Sequence, residues 1–191
     1  MKSKLTTGQG DTGKTRTLDG RVLAKSHPAL EAVGTLDALR TQTALLRLQL
    51  QKKEPEECSE INFLLFLLHT YPLIGTAISD PYIHKPEWRR GELEEKHLHF
   101  LEEEQKRLEA ELNLPREFIV SATNILAAQA DCTAVAARTF ERRLVAFCQS
   151  TPDFDIPICL AFTNRMSDYF FVLARYLEKG HHEVVTYKTR D

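Results

Sequence analysis

The sequence predicts an all-α fold, an antiparallel bundle of five helices, and three observations predict it. Apolar residues recur at three- and four-residue steps over long stretches, the period of a helix with one buried face. Prolines and charged breaks divide those stretches into five segments. No segment alternates β-branched and polar residues as a half-buried strand does. With 191 residues, of which 42% are hydrophobic, the chain is long enough to close one packed core.

Each element follows from its own stretch. Residues 3–20 are polar and glycine-rich, with no apolar period. From Pro28 onward Leu30, Val33, Leu36, Leu39, Thr43, Leu46 and Leu50 mark the first helix, and the charged Lys53–Glu57 break with Pro55 ends it. A second helix covers Ser59 to Ile78 and stops at the Asp80-Pro81 and Lys85-Pro86 pairs. Asn62, His69, Thr70 and Pro72 interrupt its apolar run. A bilayer span needs about 20 predominantly apolar residues, so this stretch reads as a buried bundle helix and no membrane partner is expected.

The third helix is expected from Gly91 to Leu112, with Leu93, Phe100, Leu101, Leu108 and Leu112 inward. The fourth runs from Asn124 to Gln149, and the alanines of its first half permit close helix approach. Pro152 and Pro157 bracket a loop, and the fifth helix covers Ile158 to Glu178, with Gly180 as its C-terminal stop. The expected organisation is a single domain: an N-terminal segment over 1–27, the bundle over 28–180 and a polar tail over 181–191.

Charge and cysteine usage exclude several classes. Lys+Arg of 25 against Asp+Glu of 27 gives −2, which provides no electrostatic basis for nucleic-acid or anionic-membrane binding. Cys58, Cys132, Cys148 and Cys159 form no CxxC pair or secreted framework, so they read as reduced thiols of a cytoplasmic protein. Met1 to Leu5 contain no apolar signal core. His97 and His99, two apart on a helix, diverge rather than chelate. His181 and His182 are expected to be exposed, and no histidine is assigned to a metal.

The run Gly8-Gln9-Gly10-Asp11-Thr12-Gly13-Lys14-Thr15 matches the spacing G-x-x-x-x-G-K-[ST]. In a P-loop this pattern joins a buried strand to a helix, and the backbone amides cradle phosphates. Here no Val/Ile-rich strand precedes it and Arg16 to Arg21 read as a turn, which argues against a P-loop NTPase. Two readings remain open from the residues themselves. One is a glycine-containing tail; the other is an anion-binding segment in which Lys14, Arg16, Arg21 and Lys25 supply positive charge.

Three ordered blocks resemble the PduO-type ATP:cob(I)alamin adenosyltransferase family. The first is Thr7-Gly8-Gln9-Gly10-Asp11-Thr12-Gly13-Lys14-Thr15, followed by Lys25, Pro28 and Glu31-Ala32-Val33-Gly34-Thr35-Leu36-Asp37. The second is Arg138-Thr139-Phe140-Glu141-Arg142-Arg143 and the third Asn164-Arg165-Met166-Ser167-Asp168-Tyr169-Phe170-Phe171-Val172-Leu173-Ala174-Arg175. The resemblance runs from about Lys4 to Glu178.

It implies a five-helix bundle of the ferritin-like, cobalamin adenosyltransferase-like kind, assembled as a homotrimer with active sites between subunits. It implies transfer of the 5′-deoxyadenosyl group from MgATP to the cobalt of cob(I)alamin, with release of triphosphate. A flavin-type reductase and a B12-dependent enzyme are the partners the resemblance suggests. Carried over residue by residue, Thr7, Gly8, Gln9 and Gly10 wrap the triphosphate, with Thr15, Arg16 and Lys25 beside them. Arg138 and Arg142, one helical turn apart, face the phosphates, Glu141 helps hold Mg2+, and Asn164 meets the nucleotide. Phe118 matches the aromatic that displaces the lower axial base of the corrinoid, leaving cobalt four-coordinate. Asp37 matches an acid on the corrinoid side and the subunit contact.

Several positions depart from the family pattern. Ala134 stands where an arginine pairs with the acid matching Asp37, and Ala29 and Thr139 replace two further arginines. Asp37-Ala38-Leu39-Arg40 replaces Asp-Glu-Leu-Asn, and Ser121-Ala122-Thr123 replaces Pro-Gly-Gly. Two functions of different class are therefore weighed: an adenosyltransferase with an altered corrinoid pocket, and a non-catalytic trimeric carrier or regulator that binds ATP or adenosylcobalamin.

Overall fold

Proline and a run of good helix formers replace the polar leader at residue 28, and from there the chain is mostly helical. The computed structural model describes residues 8, 10–53 and 58–187. Its elements are β1 (Lys14–Arg16), β2 (Val22–Ala24), α1 (Pro28–Lys53), α2 (Ser59–Ser79), α3 (Glu95–Glu109), α4 (Ile125–Ser150) and α5 (Pro157–Leu177), with a 3-10 turn at Pro86–Trp88. The five expected helices are all present. The hairpin of β1 and β2 was not expected: its strands are antiparallel and only three residues long, too short to show a period.

Helix α4 packs most extensively, on α5 and on α1, and α2 and α3 complete the bundle against α1 and α5. Ala127, Ala130, Ala134 and Ala137 of α4 and Ala29 and Ala32 of α1 are all buried. Small side chains let the backbones approach closely, and they displace the buried stripe at the start of α1 from Leu30 and Val33 to the alanines. Below it Leu36, Leu39, Thr43, Leu46 and Leu50 are buried as the period requires.

Helix α2 is long and apolar enough to cross a bilayer, but half of that window is buried inside the bundle. Phe63, Leu64, Leu67, Tyr71, Ile74 and Ile78 belong to the core, so it is a core helix of the bundle. Pro72 stays within the helix, its ring on the exposed side. Thr43 Oγ1 and the Tyr71 hydroxyl, 2.8 Å apart, form a buried hydrogen bond between α1 and α2.

Helix α3 is shorter than its pattern suggests. Glu94 and His97 form a capping box in which His97 Nδ1 accepts from the Glu94 N–H at 2.9 Å, fixing the start at Glu95. Tight turns through Glu111 and Leu112 close the other end. Phe100 stands at the rim, 45% exposed, against the rings of Phe63 and Phe66; the expected inward position belongs to Leu101 and Leu108. The buried Glu104 takes a bidentate bond from Arg107, which also reaches Glu60 at the start of α2.

Burial pushes the Glu60 carboxyl up, but the backbone N–H at the start of α2 and the Arg107 guanidinium outweigh it and hold the group below its ordinary 4.5. A carboxylate depressed in the folded state contributes stability above its unfolded pKa and loses it as pH falls through the folded value. Glu60→Gln is expected to lower unfolding free energy by about 1–3 kcal/mol at neutral pH. Urea titrations should show the deficit closing as pH falls below 4.5. A deficit of equal size in acid would assign it to packing instead of charge.

Candidate active site

The glycine-rich segment folds as a turn leading into the hairpin. Gly13 takes φ +75, a left-handed conformation that glycine adopts without strain, and its carbonyl accepts from the Lys25 N–H at 2.9 Å. The register Lys14 to Ala24, Thr15 to Leu23 and Arg16 to Val22 carries Lys25 back over the loop. A Cβ added at Gly10 would lie 3.0 Å from Lys25 Nζ, so the missing side chain is what lets the ammonium approach this backbone. Thr12, Lys14, Thr15, Arg16 and Val22 line an open depression of about 250 Å³ beside it. Arg16 Nη1 donates to the Gly20 carbonyl at 2.9 Å across the hairpin turn. Gly8 lies just before this turn; Thr7 and Gln9 are outside the described residues.

This geometry excludes a P-loop. The Gly-Lys-Thr step enters β1 of an antiparallel hairpin, and the first helix starts only at Pro28. A P-loop requires that step to open a helix behind a parallel strand.

The second group of expected residues lies on α4 and α5. Asn164 Nδ2 donates to Glu141 Oε1 at 3.0 Å, joining the two helices. Arg138 and Arg142 are exposed on the same stretch of α4, and Arg142 donates to Thr139 Oγ1 at 3.2 Å. Arg143 lies 3.9 Å from Glu31, one turn into α1. Among the described residues no hydrogen bond or ion pair joins the Gly10–Lys25 loop to Arg138, Glu141, Arg142 or Asn164. The described contacts thus form two groups, one around the hairpin and one on α4 and α5.

Asp37 pairs with Arg40 at 3.2 Å on the surface of α1, while Ala134 is buried in the core. Asp37 and Arg40 line a groove of about 290 Å³ with Leu18, Tyr71 and Gly75. Phe118 is 78% exposed in the segment before α4. That segment pairs with the chain after α5 through an antiparallel bridge between Ile119 and Val184.

The expectation of an exposed His182 is corrected. Its side chain is only 5% exposed, and Nδ1 lies 2.6 Å from Glu178 Oε2, because the bridge folds the residues after Gly180 back onto the bundle. Asp19, Asp80 and His84 also converge, which single-sequence reading missed because they are distant along the chain. Their carboxylates are already satisfied. Asp19 accepts from Thr17, the Arg21 N–H and the Arg21 guanidinium, and Asp80 from the N–H groups of His84 and Lys85. This cluster fastens the hairpin turn to the end of α2.

The family model described as cobalamin adenosyltransferase matches residues 5–177. The chain is 33% identical to the bovine corrinoid adenosyltransferase MMAB over 98% of its own length and 77% of that protein. It is 28% identical to the corrinoid adenosyltransferase PduO of Citrobacter freundii, and spans half of that protein's length. A cobalamin adenosyltransferase of Cupriavidus metallidurans is 29% identical over 93% of this chain and 90% of its own. In structure, the chain resembles a variant of the PduO-type ATP:corrinoid adenosyltransferase from Lactobacillus reuteri, complexed with cobalamin and ATP. The TM-score is 0.80 at 23% identity, covering 95% of this chain and 99% of that one. At that identity the likeness shows the shared fold.

The loop geometry sets the Lys25 ammonium against the Gly10 backbone, where an oligophosphate drawn to this turn would meet it. Lys25→Ala should weaken inorganic tripolyphosphate binding roughly tenfold at low salt, with the difference narrowing as ionic strength rises. Gly10→Ala should produce a smaller loss, because its Cβ pushes the ammonium aside. Isothermal calorimetry measures both, and an unchanged affinity for Lys25→Ala would remove Lys25 from the site.

Proposed function

Because the chain belongs to the cobalamin adenosyltransferase family, we propose that it transfers the 5′-deoxyadenosyl group of ATP to the cobalt of cob(I)alamin, forming adenosylcobalamin and triphosphate. The single observation that carries the reading is the Glu141–Asn164 bond between α4 and α5, which places a carboxylate and an amide beside Arg138 and Arg142. That combination suits a magnesium-bound triphosphate: two guanidiniums for the anion and a carboxylate for the metal.

In the proposed reaction the cobalt electron pair forms the Co–C5′ bond while the C5′–O5′ bond breaks. That bond's electron pair leaves on the triphosphate, and cobalt passes from Co(I) to Co(III). No protein nucleophile or general base is required. The chain supplies alignment of two large reactants and stabilisation of charge on the leaving group. Arg138, Arg142 and Lys25 meet the charge that grows on the triphosphate, and Thr7, Gly8, Gln9, Gly10, Thr15 and Arg16 complete the wrap around it. Glu141 would hold the Mg2+ that enters with the nucleotide, and the metal would supply further charge neutralisation on the triphosphate. Phe118 occupies the lower face of the corrinoid and keeps its axial base away, while Asp37, paired with Arg40, borders the corrinoid side.

We propose a homotrimer with active sites shared between subunits, the assembly that the family resemblance suggests. A cytoplasmic location, a flavin-type reductase that supplies the electron and a B12-dependent enzyme that takes the product complete the proposal.

Arg138→Ala should lower turnover by about 10²–10³-fold, the scale of one lost transition-state charge contact, with ATP binding reduced far less. Phe118→Ala should impair adenosylation and leave ATP affinity intact. Unchanged turnover in Arg138→Ala, measured anaerobically by loss of the cob(I)alamin spectrum, would contradict the assigned chemistry. Light scattering should give three times the chain mass; a monomer at assay concentration would rule out a shared site.

A further inference from the structure

The segment that carries Phe118 is held in place by residues 183–185, which follow α5. The Val185 N–H donates to the Phe118 carbonyl at 2.8 Å, and the Val120 N–H donates to the Glu183 carbonyl at 2.7 Å. Glu178, fully buried at the end of α5, accepts the Thr123 N–H at 3.0 Å through Oε1. The Asn124 side chain donates to the Leu177 carbonyl at 2.9 Å and caps α4 through Ala127.

Between these anchors Ala122 takes φ +57, a left-handed conformation that costs a non-glycine residue about 1–2 kcal/mol. Such a residue persists only where its surroundings over-determine the backbone. Glu178 is fixed in turn by His182 at 2.6 Å and Arg175 Nε at 3.5 Å, and Arg175 reaches Asp131 of α4 at 2.6 Å. The Phe118 ring, in contrast, is exposed. Its placement therefore comes from its backbone and not from packing.

We propose that residues 183–185 form a strap that positions Phe118, with the Val185 amide as the positioning group and the Glu178–His182 pair as its anchor. The proposal rests on the reading of Phe118 as the aromatic that displaces the axial base. In that reading a backbone displaced by an ångström leaves the ring unable to cover the lower face of the corrinoid, however well ATP binds.

The test uses the full chain loaded with MgATP and cob(II)alamin under anaerobic conditions, and reads the visible spectrum of four-coordinate cobalt. Val185→Pro removes the donor to the Phe118 carbonyl at a position outside the core. It should lower the four-coordinate fraction about fivefold, the shift expected from one lost backbone hydrogen bond, with ATP affinity and circular dichroism unchanged. Val185→Ala keeps the amide and should retain the wild-type spectrum. Val120→Pro, which removes the other strap bond, should repeat the loss.

Phe118→Ala is the reference for complete loss. If it loses the signal while Val185→Pro and Val120→Pro keep it, the strap is overturned and the role of Phe118 stands. If Phe118→Ala itself keeps the signal, the reading of Phe118 fails and the strap falls with it. Equal loss in Val185→Ala and Val185→Pro would assign the effect to the side chain and overturn the amide as the positioning group.

Discussion

Close packing through the alanines of α4 is the constraint on which the other features depend. Ala127, Ala130, Ala134 and Ala137 are buried where α4 meets α1 and α5. Larger side chains there would force the helices apart at about 1–3 kcal/mol for each overpacked site. The close approach brings Glu141 within hydrogen-bond distance of Asn164 and Arg143 near Glu31. It also sets the end of α5 beside the start of α4, where Glu178 and Leu177 hold Thr123 and Asn124. The functional face of α4 is thus an outward consequence of small residues on its inward face.

The site proposed on this scaffold is suited to displacement chemistry with an external nucleophile. Its residues are cations, an amide, a carboxylate and an exposed aromatic, and each acts by placement. Cys148 and Cys159 are not nucleophile candidates. Burial pushes the Cys159 thiol up to about 11 and raises Cys148 as well, which suppresses the thiolate. Burial, with the nearby Glu178 carboxylate, likewise raises the Asp131 carboxyl despite the adjacent Arg175. The cations the proposed site uses, Lys25 beside the hairpin and Arg138 and Arg142 on α4, are exposed.

The helices were legible because their periods are long and their breaks are marked by proline. Phe100 misled because a ring partly covered by Phe63 and Phe66 satisfies the apolar period while remaining at the rim. The hairpin was not legible: three-residue strands leave no pattern, and what specifies them is the left-handed Gly13 and its bond with Lys25. The order of the motifs made the candidate residues readable, but not the partners that place them. Nothing local to Asp37 gives the direction of Arg40, and nothing near His182 announces burial against Glu178. Ser121-Ala122-Thr123 read as a departure from a glycine pattern, yet Ala122 keeps a glycine-like φ because distant residues hold both sides of it.

The reaction proposed for this chain joins an adenosyl group to cobalt. Its most direct measurement is an anaerobic incubation of the full protein with chemically reduced cobalamin and MgATP, assaying adenosylcobalamin and inorganic triphosphate in the same sample. The two products should appear in equal amounts as the cob(I)alamin spectrum disappears. ATP binding without either product would contradict the proposed reaction and leave a nucleotide-binding module in its place.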